Sequence, residues 1–508
     1  MWQRYTLYDF RVIAHYLGDL ILLLAAVLVV PFATAVVFHE WAPAVHYLYA
    51  IGISLIVGTL LCFVCISPGQ LNRQQALAVT GFAWIALALI GAIPLFLSGH
   101  YGSYLDALFD AVSGFTSTGA SVISDLDHLA YSDNMWRFVM HFVGGLGLVV
   151  ILLSLGLGGR GGSSMYSSEG RSEHVLPNIV QTARLIMRIA FLMVAGFGLI
   201  IGIFCFIAGM EPVRAFLHGL WLAITGFVTA GFTPTSSNVY AYHSLPIEVT
   251  LMVVMLLGGI NFGLYAALWK GRTDDLLEDT EIRAIAMWLT LLVAVTALSL
   301  SASALFSEAP AIMRRGLFMV ISAASTSGLM TVTENQLTTA FSSGSFLVLA
   351  LAMSVGLASG STAGGVKINR LAIIAHSILS TIKQTASADT ALVISKYYHV
   401  GKRVVSDAAA KEAMTIFTLF VAMYAIGTLT AIAYGYEATS AIFDSVAMAS
   451  NGGLTSGIVA ADMPAGLEAL YIFMMWAGRL ELVTLFALVM KILVSFKEGA
   501  RKLRKEAE

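Results

Sequence analysis

Four stretches of this chain close on a glycine preceded by a small residue: Thr118-Gly119, Ala230-Gly231, Ser327-Gly328 and Gly452-Gly453. Glycine reaches backbone conformations that a Cβ blocks, so such a pair can turn its carbonyl oxygens toward a common point. Carbonyls grouped in that way replace the water shell of a bare cation. The four pairs end segments that align without gaps: ALFDAVSGFTSTG (107–119), GLWLAITGFVTAG (219–231), GLFMVISAASTSG (316–328) and AIFDSVAMASNGG (441–453). Each opens on a small residue followed by Leu or Ile, and each has an aromatic third, namely Phe109, Trp221, Phe318 and Phe443. Successive copies lie 112, 97 and 125 residues apart, which makes a fourfold internal repeat.

Two further features could carry chemistry. The run Gly360-Ser361-Thr362-Ala363-Gly364-Gly365 interrupts what is otherwise an apolar helix from about 343 to 380, and glycine costs roughly 1 kcal/mol per residue in a helix relative to alanine. It is no phosphate loop, because Val366-Lys367 follows where a Gly-Lys-Ser/Thr ending is needed. Arg479 is the other, a guanidinium in an apolar stretch, where such a charge faces a cavity or a partner. Glu481, two residues on, points to a different face of a straight helix, so the two do not neutralise each other directly. A salt bridge elsewhere in the bundle is the alternative role for either.

The elements that must hold these residues are membrane spans. The 508 residues are 58% hydrophobic and 11% charged, where soluble domains carry roughly 25% charged residues, and the net charge of −2 leaves no basic excess for nucleic acid. A bilayer core of about 30 Å needs roughly 20 apolar residues of helix. Windows without Asp, Glu, Lys or Arg run 19–39, 41–72, 74–105, 138–159, 189–210, 249–269, 284–307, 335–366 and 413–436, and 469–490 is broken only by Arg479 and Glu481. The spacing therefore predicts ten spans. The first window is too long for a signal-peptide core and reads as an uncleaved span. With the amino terminus inside, 23 of the 28 basic residues fall on the inner side, so both termini are expected in the cytoplasm.

The four repeated segments lie on the outer side, too apolar for loops and too short to cross. Non-helical backbone survives at membrane depth only where protein or water encloses it, so four matched turns imply a shared cavity. Four around one axis make a pore, and short helices aiming their partly negative carboxyl ends at its centre favour a cation. Four re-entrant hairpins that merely pack through their small residues are the alternative.

These residues resemble the Trk/Ktr/HKT superfamily of cation transporters, specifically the bacterial Trk-type membrane subunit. Beyond the four segments, the likeness rests on Trp136-Arg137 with HFVGGLG (141–147), GGINFGLYAALWKG (258–271), EDTEIRA (278–284), GSTAGGVKINR (360–370) and AGRLELVT (477–484). The resemblance implies an all-α polytopic membrane protein of the bacterial inner membrane, with ten transmembrane helices and four re-entrant pore helices. A two-helix extension (1–72) would precede four helix, pore-helix, helix units at 73–183, 184–281, 282–410 and 411–508, the last ending in a basic cytoplasmic tail. It further implies potassium uptake through a filter of Thr118, Gly119, Ala230, Gly231, Ser327, Gly328, Gly452 and Gly453. Gly119 stands where sodium-favouring relatives have serine, and the fourth filter segment departs from the threonine-rich pattern while retaining its glycine. By the same resemblance, residues Gly360 to Gly365 form an intramembrane loop that obstructs the pathway, and Arg479 projects into the pore beneath the filter. The expected partners are a second copy of the chain, membrane lipid, and a separate TrkA-like cytosolic subunit that binds ATP/ADP or NAD. No covalent cofactor and no enzymatic activity are implied.

Several residues read more plainly. Cys62 and Cys65 sit one turn apart in an apolar run and read as packing. The eleven histidines show no metal-ligand spacing, and His141 reads as helix packing. Asp110 and Asp444 occupy matched repeat positions near the outer mouth, where they either concentrate cations or hydrogen-bond the ends of the short helices. The polar segments 158–183 and 381–411 suit a cytoplasmic partner or plain linkers. A secondary transporter of another cation or solute is the rival class, but it calls for midplane carboxylates and inverted repeats, whereas these repeats share one direction.

Overall fold

The computed structural model describes residues 5–66, 69, 71–154, 178–269, 271, 273, 278–301, 309–340, 343–388, 396–398, 402–480 and 482–507. Glu481 and most of the 158–183 segment lie outside the described residues. Two helices, α1 (Leu7–Val37) and α2 (Trp41–Phe63), form a hairpin. They cross tightly, because a methyl placed on Gly18 would come 2.7 Å from the Gly58 carbonyl. Small residues permit that approach where no hydrophobic gradient drives helices together. A capping box opens α1: Thr6 Oγ1 accepts from the Asp9 amide at 3.2 Å, and the Asp9 carboxylate accepts from the Thr6 amide at 2.6 Å.

Four units follow, each a long outer helix, a short helix and a broken inner helix. The first has α3 (Arg73–Leu97), α4 (Tyr104–Phe115), α5 (Tyr131–Leu146) and α6 (Leu148–Ser154). The second has α7 (Ile179–Ile207), α8 (Pro212–Phe227), α9 (Leu245–Gly258) and α10 (Phe262–Trp269). The third has α11 (Thr280–Ser301), α12 (Ala309–Ser325), α13 (Glu334–Ala340), α14 (Ser343–Val355) and α15 (Ile368–Thr385). The fourth has α16 (Asp407–Ala433), α17 (Ala438–Ala449), α18 (Ala465–Arg479) and α19 (Leu482–Ala507). The fold is all-helical as expected, with one small antiparallel pair between the last two units, β1 (Lys396–Tyr398) and β2 (Lys402–Val404), with Tyr397 opposite Arg403.

Six of these helices, α1, α2, α3, α7, α11 and α16, are each long and apolar enough to cross a membrane. The pair α9 and α10, bent by 92°, is a seventh candidate. Past the ends of α3, α7 and α16 the chain turns on Gly99, Gly209 and Gly435, whose φ values of 80°, 95° and 95° suit residues without a Cβ. Each turn sends the short helix back along its outer helix.

The inner helices differ from the sequence expectation. Windows 138–159, 249–269 and 469–490 read as continuous spans, yet the helices stop at Leu146, Gly258 and Arg479 and resume at Leu148, Phe262 and Leu482. Window 335–366 divides among α13, α14 and the non-helical stretch before α15. The reason is crowding at the centre. A methyl on Gly144, Gly258 or Gly478 would strike the carbonyl of Phe115, Phe227 or Ala449, the last residues of α4, α8 and α17. Immediately beyond these contacts each helix ends.

The units close into a ring. Each inner helix packs on the short helix of its own unit and on that of the next: α5 on α8, α9 on α12, α14 on α17, and α18 back on α4. Between α9 and α12 the Arg314 guanidinium clasps Glu248 with two bonds of 2.6 Å.

Candidate functional site

All four short helices end in one backbone turn. Ser117, Thr229, Thr326 and Asn451, each two residues before the closing glycine, are left-handed, with φ of 57°, 49°, 56° and 54°. The next amide in each copy bonds five residues back: Thr118 to Ser113 O, Ala230 to Thr225 O and Ser327 to Ser322 O at 2.9 Å, and Gly452 to Ala447 O at 2.7 Å. This is a Schellman closure, which normally recruits glycine. A left-handed non-glycine residue costs about 1–2 kcal/mol, and for a β-branched threonine it is a marked outlier. Strain of this kind persists where surroundings over-determine it, commonly at functional sites.

The glycines that follow stand against one another's chains. Their φ values are 83°, 102°, 71° and 64° for Gly119, Gly231, Gly328 and Gly453. A methyl on Gly231 would lie 2.8 Å from Ser327 O, and one on Gly328 would lie 3.1 Å from Gly452 O. A methyl on Gly119 would collide with Ala230 O, and one on Gly453 with Thr118 O. The carbonyl before each glycine thus abuts the glycine of a neighbouring unit, in cyclic order. A Cβ collides outright at Gly119, Gly231 and Gly453 and is tight at Gly328, and at all four the positive φ disfavours a side chain. The eight residues singled out from sequence, Thr118, Gly119, Ala230, Gly231, Ser327, Gly328, Gly452 and Gly453, form this single ring.

On one face the ring opens into a cavity of about 440 Å³ whose lining includes Gly119, Gly231, Gly453, Arg137, Thr233 and Glu334. The segments leaving the ring are anchored by groups unlike in charge. In the first unit Asp110 accepts from the Val122 amide at 3.0 Å and from Ser121 and Tyr101 hydroxyls at 2.8 and 3.0 Å. In the fourth, Asp444 accepts from the Ser456 and Ile458 amides at 2.7 and 3.2 Å. Both aspartates are fully buried. Of the two roles open to them from sequence, the bonds show neither in full: they hold the chain leaving the ring. The second and third units carry Leu222 and Met319 at that position. There arginines serve instead, Arg137 donating to Thr233 O at 3.3 Å and Arg315 to Thr331 O at 3.4 Å. Arg137 also pairs with Asp110 at 3.7 Å and lies 4.1 Å over the Phe232 ring. His141 stacks on the same Phe232, with centroids 4.1 Å apart, which is packing.

Beneath the ring lies the stretch between α14 and α15. Gly356, Gly360, Gly365 and Lys367 all have positive φ, so no helix can run through it. Thr362 Oγ1 stands 2.9 Å from Gly258 O, 3.1 Å from Phe227 O and 3.1 Å from Thr229 Oγ1. The Gly364 amide donates to Thr326 Oγ1 at 2.7 Å, and the Gly365 amide to Ser450 O at 3.0 Å. Within the loop Ser361 Oγ donates to Ala358 O at 2.6 Å, Ala363 O accepts from Lys367 Nζ, and Gly360 rests on Asn261. The loop therefore touches the short-helix ends of the second, third and fourth units. On the side of the first unit, Arg479 donates to the carbonyls of Gly144 and Gly145. Gly144 in turn packs on Phe115 O.

Sequence reading passed over the left-handed row itself and also Glu281, whose Oε1 accepts from the Ser359 amide at 2.6 Å. A signal for the row existed, because all four aligned segments place a polar residue two before the glycine. Cys62 and Cys65 form no disulfide.

Residues 46–497 match the family model described as "TrkH: Cation transport protein". An uncharacterized cation transporter of Methanocaldococcus jannaschii is 27% identical over 96% of both chains. The Trk system potassium uptake protein TrkH of Salmonella typhimurium is 26% identical over 94% of this chain and 98% of its own. The crystal structure of the potassium transporter TrkH from Vibrio parahaemolyticus superposes with a TM-score of 0.80 over 94% of this chain and 98% of its own, at 23% identity, a likeness of fold.

Proposed function

This chain belongs to the TrkH family of cation transport proteins, a multi-pass membrane protein, and from that premise we propose that it takes up potassium through one channel-like pathway. The observation that carries the reading is the ring in which Thr118 O, Ala230 O, Ser327 O and Gly452 O each abut a neighbouring unit's glycine. Carbonyl oxygens drawn from four units around one point suit a dehydrated monovalent cation, and the carboxyl ends of four short helices add negative potential there. The cavity outside the ring is the entry vestibule. Counting each broken inner helix as one crossing gives ten, with both termini in the cytoplasm of a bacterial-type inner membrane, and units at 73–183, 184–281, 282–410 and 411–508 after the 1–72 extension.

The loop Gly360 to Gly365 with Arg479 forms the gate, since together they approach the ring from all four units. Desolvated cations leaving the ring inward would meet packed backbone and a fixed positive charge. The chain works as a homodimer in lipid, with a TrkA-like nucleotide-binding subunit on the inner face to move the loop.

The selectivity claim is tested by Gly119→Ser. A Cβ there collides with Ala230 O, so the ring must widen, and the potassium-to-sodium permeability ratio in liposomes is expected to fall about tenfold or more, the effect of roughly 1.4 kcal/mol or greater. An unaltered ratio in well-folded protein overturns the assignment of the ring as the filter.

A further inference from the structure

We infer that the hydroxyls of Thr229, Thr326 and Thr362 form a latch that ties the intramembrane loop to the strained turns of the glycine ring. The residues that shape the filter would then also set how readily the gate leaves it. The inference rests on the reading of residues 360–365 as a gate and adds what holds that gate shut.

Three observations carry it. The first is where the loop's bonds go. Thr229 Oγ1 meets Thr362 Oγ1 at 3.1 Å, and Thr326 Oγ1 accepts from the Gly364 amide at 2.7 Å while donating to Ser325 O at 2.6 Å. Thr362 Oγ1 also reaches the Phe227 and Gly258 carbonyls, the ends of the short and inner helices of the second unit. All three threonines are buried, so these bonds act in a low-dielectric setting where an unmet polar group is costly.

The second is conformational. Thr229 and Thr326 are β-branched yet left-handed, which asks for compensation from the surroundings. The loop supplies a hydrogen-bond partner to each of them. In the first unit no such partner arrives: Ser117 Oγ is buried without one, and Ser117 lacks the branch that makes the conformation expensive. In the fourth unit Asn451 turns elsewhere, donating to Thr118 Oγ1 and Met475 O at 2.9 Å each. Among the described residues, side-chain latching of the left-handed turns is thus confined to the second and third units.

The third is composition. A stretch rich in glycine has little apolar side chain to bury, and its own chain entropy favours release. Hydrogen bonds must therefore supply much of what keeps it in place. Its far end is tethered to α11 through Glu281, so the loop pivots between that tether and the threonine latch.

The test uses rubidium uptake into liposomes by the purified full chain without any partner subunit. Thr362→Val keeps the shape and removes the hydroxyl, and each lost hydrogen bond is expected to shift the closed-to-open ratio toward open, raising basal flux about three- to tenfold. Thr362→Ser should restore the basal level, and the potassium-to-sodium permeability ratio of Thr362→Val should equal that of the parent, which a general loosening of the fold would not allow. Thr326→Val provides an independent variant with the same expected rise. A chain with residues 360–365 shortened is measured alongside. If the shortened chain leaks while both valine variants stay at basal flux, the latch is wrong and the gate reading stands. If the shortened chain does not leak, the gate reading fails and takes the latch with it.

Discussion

Arg137 and Arg479 show at the residue scale how position turns one side chain to two uses. Arg137 is fully buried, 3.7 Å from Asp110, over Phe232, and bonded to Thr233 O, so it joins the first unit to the second above the ring. Removing one member of a buried ion pair strands the other, which costs about 3–5 kcal/mol. Arg137→Ala should accordingly lower the unfolding temperature in detergent sharply, while the Asp110→Asn, Arg137→Ala double variant should recover part of the loss. Additive losses would show that the pair is not coupled. Arg479 lies on the face of the ring that the 360–365 loop occupies, its guanidinium on the Gly144 and Gly145 carbonyls and 5.8 Å from the Trp84 ring. Arg479→Ala should raise rubidium flux several-fold, about what removing 1 kcal/mol from a barrier gives, and unchanged flux would remove Arg479 from the gate. Sequence marked Arg479 by its isolation in an apolar window. It gave Arg137 no such mark, because nothing local links it to an aspartate 27 positions earlier.

At the scale of elements, the breaks in the inner helices matter more than their lengths. Uncharged windows show where apolar helix can run, but a window carries no record that Gly144, Gly258 and Gly478 press on the ends of the short helices. Only the third break was read from sequence, where Gly360 to Gly365 holds six glycine or small residues in a row; the shorter clusters at Gly144-Gly145 and Gly258-Gly259 also suit packed helices. The amino-terminal hairpin likewise has a role that composition hides. Glu40, in the turn before α2, accepts from the Tyr131 and Ser132 amides at 2.8 and 3.0 Å and from Ser132 Oγ at 2.6 Å. It thereby caps α5 from another element, and Tyr47 supports it by donating to Asp133 at 2.6 Å. An N-cap deletion costs about 0.5–2 kcal/mol, so Glu40→Ala should lower thermal stability measurably and Glu40→Gln, which retains an acceptor, should lower it less. Equal losses would assign the effect to charge and not to capping.

For the whole molecule, four units carrying the same short-helix turn share one centre, and their differences decide what each contributes. In the first and fourth the chain leaving the ring is anchored by the unit's own aspartate; in the second it is held by Arg137 of the first unit and in the third by its own Arg315, and these two carry the β-branched turns on which the loop rests. A pathway built from a single chain can differentiate its quarters in this way, whereas four identical subunits cannot. By itself the sequence determined the membrane class, the fourfold repeat, the ring-forming glycines and the broken third inner helix. These follow from hydropathy, spacing and the conformational range of glycine, all of which act locally along the chain. Tertiary structure decided the cyclic order of the units, the anchoring of the chain around the cavity, and which side chains meet the loop. Those depend on contacts such as Thr118 with Gly453, Thr229 with Thr362 and Gly144 with Arg479, between residues more than a hundred positions apart, whose approach is set by how helices pack and by nothing written beside them in the chain.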